Sequence, residues 1–297
     1  MRNALSSAIM RLAEDESVFF LTGDLGFMAL EGVRERMGSR FINTGVAEQN
    51  MIGVAAGLAR EGLRVFVYSI APFCYARPFE QIRNDVCMPE LPVCLIGNGG
   101  GYGYGYMGPT HHALEDCAAM AALGLRVLVP AFDQDIPAML AGCNAPTYLR
   151  LGYALQPEGA TIPDYAPWRK ILGGERGVMV ALGPLAGVAW RAFAAWPASA
   201  RPSVWAVAEL ATALAPAEFW AEIDDSALYV IEEHVETGGL GASLALAIMK
   251  RGLIVRRLAH RYALGYPTGR YGSQGFHRAQ CGLDENGLRE MLGRNHA

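Results

Sequence analysis

Short apolar runs, each closed by a glycine or a polar residue, alternate along this chain with longer stretches in which apolar residues recur every three or four positions. A strand covered on both faces reads as a continuous apolar run and the helix covering it as an amphipathic one, so the alternation predicts βα units and a mostly parallel sheet. The predicted strands are VFFLT, RVFVYS, PVCLIG, RVLVPA and TYLRL, with helices over 46–60, 73–86, 112–123 and 133–142. Residues 156–169 read QPEGATIPDYAPWR, and their prolines and lack of period predict a linker. Beyond it VMVALG, SVWAVAEL, ALYVIEEH and IVRRLAH alternate with helical stretches over 185–196 and 240–251. The expected fold is α/β: two three-layer domains with mostly parallel sheets, over 1–155 and 176–297, joined by a linker over 156–175.

Composition narrows the class. A chain of 297 residues with 52% hydrophobic and 18% charged residues can bury two cores. The net charge of -4 is spread along the chain without a basic run, which argues against nucleic acid as a partner. The start, MRNALSSAIMRLAEDESVFF, is an amphipathic pattern, and no apolar stretch reaches about 18 residues, so a cytoplasmic protein with no membrane partner is expected. Cys74, Cys87, Cys94, Cys117, Cys143 and Cys281 form no CxxC pair and do not cluster with histidine. They read as reduced thiols, and no metal ligand is assigned on this chain.

Three segments carry candidate chemistry: TGDLG (22–26), NTGVAEQN (43–50) and GNGGGYGYGYMGPTHH (97–112). The glycines of the last permit backbone conformations closed to other residues and let a ligand lie against bare backbone, while Tyr102, Tyr104 and Tyr106 can line a cavity. The run fits neither a P-loop nor a GxGxxG turn opening a helix, so a Rossmann dehydrogenase is not supported. Taken singly, the loop is as readily a connection as a ligand site, Glu48 is a helix N-terminal carboxylate favoured by the helix dipole, and His111 and His112 are capping or surface residues.

The ordered set is more specific. GDL, then GVAEQN with a following AAGLA helix, then SIAPFCYARPFEQIRND, then GPTHH, then YLRLG resembles the pyrimidine-binding domain of transketolases. VALGPLAGVAW and VIEEHVETGGLGASLA resemble the C-terminal domain of that family, shared with deoxyxylulose-phosphate synthase and the beta subunits of 2-oxoacid dehydrogenases. In relatives a GDG motif with a downstream asparagine holds the cofactor's diphosphate through a metal ion. Here Gly23 and Asp24 are followed by Leu25, and Asn50 falls inside the glutamate motif.

The resemblance implies thiamine diphosphate as cofactor, with Mg2+ or Ca2+ bound through a separate chain resembling the N-terminal part of a full transketolase, and a heterotetramer of two copies of each. It implies that Glu48 activates the aminopyrimidine ring, that Phe73 stacks on that ring with Ile70 beside it, and that Asp24 and Leu25 border the cofactor cleft. His111 would face the reacting carbons, and Arg150 would pair with a sugar phosphate, a role its planar fork suits; a surface salt bridge is the alternative for Arg150. Tyr106 and Met107 stand where relatives acting on sugar phosphates carry an acidic pair, which implies that the acceptor, or else the ketol donor, is modified, less hydroxylated or carrier-bound. The rival readings are the beta chain of a 2-oxoacid dehydrogenase, which GPTHH and YLRLG disfavour, and a non-catalytic regulatory chain, which retention of Glu48 disfavours.

Overall fold

The computed structural model describes residues 1–26, 28–154 and 156–293, so Leu155 and the last four positions of the expected second domain lie outside the described residues. Helix α1 (Arg2–Leu12) leads into β1 (Val18–Thr22), α2 (Glu31–Met37), β2 (Phe41–Asn43), α3 (Glu48–Arg60), β3 (Arg64–Ile70), α4 (Ala71–Ala76), α5 (Phe79–Gln81), β4 (Val93–Asn98), α6 (Asp116–Ala122), β5 (Arg126–Leu128), α7 (Ile136–Ala141) and β6 (Thr147–Leu151). These build a six-stranded sheet in the order β2-β1-β3-β4-β6-β5, every pair parallel. The second half runs β7 (Trp168–Leu172), β8 (Val178–Leu182), α8 (Leu185–Phe193), β9 (Ser203–Val207), α9 (Ala217–Ile223), β10 (Ser226–Ile231), α10 (Leu240–Arg251), β11 (Val255–Arg261), α11 (Gln274–Gln280) and α12 (Glu285–Gly293). Its sheet, β11-β10-β8-β9-β7, is parallel except at β7, which pairs antiparallel with β9. Among the described residues no helix is long and apolar enough to cross a membrane.

Three elements depart from the sequence reading. The expected linker contains β7, so the second sheet begins inside it; WRKIL alternates too weakly to stand out, and pairing with β9 decides it. The expected helix over 112–123 begins only at Asp116. Gly101 and Ala113 exchange two backbone hydrogen bonds, 2.8 and 3.0 Å, which hold the chain before it extended. The expected helix over 73–86 is broken: α4 ends at Ala76, Pro78 has no N–H to donate, and the chain recoils as α5 and a π-helical turn, Ile82–Cys87.

The two sheets share one continuous apolar core, in which Met120, Val127 and Val129 of the first half meet Trp168, Val180 and Trp205 of the second. At the edge of the first sheet, Val129 N–H donates to Ala208 O and Leu210 N–H to Val127 O, beside a two-pronged Arg126 to Glu209 pair at 2.8 and 2.7 Å. Deeper in, the fully buried Asp135 accepts from Ala131 N–H, Phe132 N–H and Arg169 Nη2. A second buried seam, aromatic, joins the glycine-tyrosine segment to the chain after β11. The Tyr102 ring stacks on His277 at 4.7 Å and meets the edge of His112 at 5.3 Å. Gly105 O can only accept, so His112 Nε2 carries the proton it donates there, and His112 Nδ1 accepts from Tyr266 OH. His277 Nε2 accepts from Gly272 N–H, which only a ring unprotonated at that nitrogen can do, and burial pushes both histidines below the ordinary value.

Two outcomes are expected. Asp135→Ala strands the Arg169 cation and two backbone donors in the core, so the urea midpoint of the purified chain should report a loss of about 3–5 kcal/mol; a loss within error of wild type would mean that water or a shift in packing compensates. The second concerns pH. The unfolded chain binds these histidine protons near about pH 6.5, and the folded chain only at lower pH. Stability from this cluster is therefore full above about pH 6.5 and is lost as pH falls through the lowered values. Melting temperature should drop on acidification, and the double variant His112→Gln, His277→Gln should flatten that dependence; an unchanged acid profile in the variant would clear the pair of responsibility.

Candidate active site

In a parallel sheet all crossover helices start at one edge, and ligands gather where consecutive connections leave in opposite directions. In the first sheet β1 connects outward to β2, and β2 crosses back over β1 to β3, so that point lies between β1 and β3. The segments leaving there are 23–26 after β1, 44–47 before α3, and α4 after β3. The expected residues Asp24, Leu25, Glu48, Ile70 and Phe73 all sit on or directly beside these segments.

Glu48 is the first residue of α3, 5% exposed, with its carboxylate beneath the bare backbone of Gly23. A Cβ at Gly23 would stand 3.3 Å from Gly45 O and 3.9 Å from Glu48 Oε1, so the strand end fits closely over the acid. Arg77 Nη1 donates to Glu48 Oε1 at 2.8 Å, and the same guanidinium lies 3.7 Å from the centre of the Phe73 ring. Phe73 meets the His111 ring edge-on at 5.3 Å, and Tyr104 stands 5.8 Å from His111 on another side. His111 Nδ1 is hydrogen-bonded to Thr110 Oγ1 at 2.9 Å. Asp24 is exposed, at a left-handed φ of 51°, which a short acidic side chain tolerates. Asn43 fixes it, accepting from Asp24 N–H and donating to its carboxylate. Leu25 is half-buried beside Asp24 and Asn43, and Ile70 is half-buried at the start of α4.

Tyr106 and Met107 are 77% and 55% exposed on the outer side of the glycine-tyrosine segment. The glycines of that segment left two readings open, a ligand against bare backbone or a connection; at Gly99, Gly100 and Gly101 the protein's own side chains fill the space. Cβ atoms at Gly99, Gly100 and Gly101 would collide with Tyr104, Arg150 and Glu233 respectively. Arg150 points inward. It is buried, its Nε is 3.0 Å from Asp116 Oδ2, and its Nη2 donates to Ala113 O and Glu233 O. Its ion pair is thus internal, and Tyr148 OH donates to the same Asp116 oxygen.

Sequence reasoning passed over Arg77 and Asp116. Arg77 was detectable, because it stands four residues after Phe73, the spacing that stacks side chains on one helical face. Asp116 carries no local signal: its partners, Arg150 and Tyr148, come from a strand more than 30 residues away.

A family model described as "Transketolase, pyrimidine binding domain" matches residues 1–152. The chain is 26% identical to one subunit of the apulose-4-phosphate transketolase of Phocaeicola vulgatus, over 97% of this chain and 94% of that one. It is 30% identical to 1-deoxy-D-xylulose-5-phosphate synthase 2 of Geobacter sulfurreducens, over 95% of this chain but 46% of that protein. Among solved structures, a split-gene transketolase described as an inactive beta4 tetramer superposes with a TM-score of 0.81 at 27% identity, covering 99% of this chain and 96% of that one. The transketolase of Leishmania mexicana shares the fold, with a TM-score of 0.77 at 18% identity, and this chain spans 46% of it. The chain therefore belongs to the transketolase family.

Proposed function

We propose that this chain is the pyrimidine-binding half of a two-chain, thiamine-diphosphate-dependent transketolase that moves a two-carbon ketol unit. The single observation that carries the reading is a run of contacts across three separate segments: the nearly dry Glu48 holds Arg77, whose guanidinium lies over the Phe73 ring, and that ring meets His111 edge-on. Those residues suit an aminopyrimidine: a sheltered carboxylate for a ring nitrogen and an aromatic face for the ring. The GDG motif that relatives use for the diphosphate is not repeated after β1, where Gly23 and Asp24 are followed by Leu25. The diphosphate and its Mg2+ or Ca2+ are assigned to a partner chain resembling the N-terminal part of a transketolase, in a heterotetramer. One relative named as a transketolase subunit and another described as split-gene support this division.

Thiamine diphosphate, when bound, supplies a carbon nucleophile for breaking and making the ketol bond. Glu48 holds a proton between its carboxylate and the ring nitrogen, which low solvent access strengthens. Phe73, with Ile70 at its side, packs the ring and excludes water, and Asp24 and Leu25 border the crevice. His111, its Nδ1 engaged by Thr110, offers the other ring nitrogen to a substrate hydroxyl. Tyr106 and Met107 present an apolar wall where a polyol acceptor would want acids, which favours a less hydroxylated acceptor. Arg150, already neutralised by Asp116, meets a phosphate only if it shares that charge.

The test is to purify the chain with its partner and measure cofactor binding and ketol transfer. Glu48→Gln should keep the complex assembled and lower turnover by about 10²–10⁴-fold. Wild-type complex that binds no cofactor, or that releases carbon dioxide from a 2-oxoacid instead, would sink the reading.

A further inference from the structure

The segment 99–112 has two sides. Its outer side exposes Tyr106 and Met107 and brings His111 against Phe73, while its inner side is held by Arg150, Leu151 and Ala113 of the first half and by Glu233, Gly265 and Gly272 of the second. The centre of that hold is Glu233, 7% exposed, just after β10. Its Oε1 accepts from Tyr102 N–H at 2.7 Å and from Gln274 Nε2 at 2.9 Å, and its Oε2 accepts from Arg278 Nε at 2.5 Å. A Cβ on Gly101 would meet Glu233 Oε1 at 2.5 Å, so the backbone lies directly on the carboxylate. Further along, Tyr102 OH donates to Gly265 O, and a Cβ on Gly105 would reach Gly272 O at 3.0 Å.

We propose that Glu233, oriented by Gln274 and Arg278, is a positioning residue for substrate selection: by seating Tyr102 it fixes where Tyr106, Met107 and His111 face the substrate. A charged acceptor is required because one carboxylate must satisfy a main-chain donor and a guanidinium at once, and a buried cation without it is costly. Glu233 touches no substrate and acts through the segment it seats. This assignment rests on the ketol-transfer reading for its effect on catalysis, but its structural part can be measured without activity.

The experiment has two arms. In the first, hydrogen exchange is followed on the chain complexed with its partner: Glu233→Gln and Gln274→Ala should speed exchange of amides over 101–112 by about five- to tenfold, as expected when one or two hydrogen bonds of a local unit are lost, with the second sheet unchanged. In the second, the same complexes are assayed with xylulose 5-phosphate as donor. KM should rise about tenfold in Glu233→Gln, less in Gln274→Ala, with half-saturation by thiamine diphosphate unchanged, and Glu233→Asp, which keeps the charge, should recover part of the loss. If Glu233→Gln does not fold, Gln274→Ala decides alone. Unchanged exchange over 101–112, or a lower melting temperature with unaltered KM, overturns the proposal. A wild-type complex without ketol transfer removes the functional reading instead, and the exchange arm then decides whether Glu233 seats the segment.

Discussion

A guanidinium cannot be left without partners in a protein core, and the buried Arg150 obliges three separate parts of this chain to converge on it. It rises from β6 in the first sheet, pairs with Asp116 at the start of α6, and donates to the carbonyls of Ala113 and Glu233. One of those carbonyls belongs to the segment leading out of the crevice and the other to the end of the second sheet. Removing one member of such a group strands a charge at a cost of about 3–5 kcal/mol, a large share of a typical domain's stability. The halves are thus locked in register by the need to satisfy one cation, which explains why the candidate site's glycine-tyrosine wall is built where they meet.

The first sheet supplies the rest by geometry. Parallel strands deliver all their outgoing connections to one edge, so residues far apart in sequence, such as Asp24, Glu48, Phe73 and His111, arrive together without any local motif joining them. The glycine-tyrosine segment can lie over that edge because its inner surface lacks side chains where Tyr104, Arg150 and Glu233 press against it. Glycine here makes room for the protein itself. The adaptable surface is the opposite one, where Tyr106 and Met107 stand exposed.

This division marks what was legible in the sequence. Apolar periodicity records burial, and burial is what decides the strands of the first sheet and the register of α3, so Glu48 could be placed at a helix start from pattern and resemblance. Periodicity carries no information about what a polar side chain meets across the fold. Arg150 therefore read as a surface or ligand cation when it is a core one, and nothing in ALYVIEEH signals that Glu232 caps α10 or that Glu233 accepts from Tyr102 N–H. The weak strand β7 and the extended stretch before α6 were invisible for a related reason, since each exists through hydrogen bonds to a distant partner.

Arg77 raises the question of whether the site is blocked, since it engages both the Glu48 carboxylate and the Phe73 ring to which the proposed function assigns the pyrimidine. The Arg77 side chain is 42% exposed while its partner Glu48 is only 5% exposed, so solvent screens this pair from the arginine side alone. The guanidinium's contact with Phe73 adds about 0.5–1 kcal/mol. A cofactor held at micromolar affinity brings about 8 kcal/mol net, a figure from which the cost of displacing the arginine is already subtracted. The pair therefore keeps a buried carboxylate compensated, and under the proposed function a hydrogen bond from the cofactor to Glu48 would have to replace it.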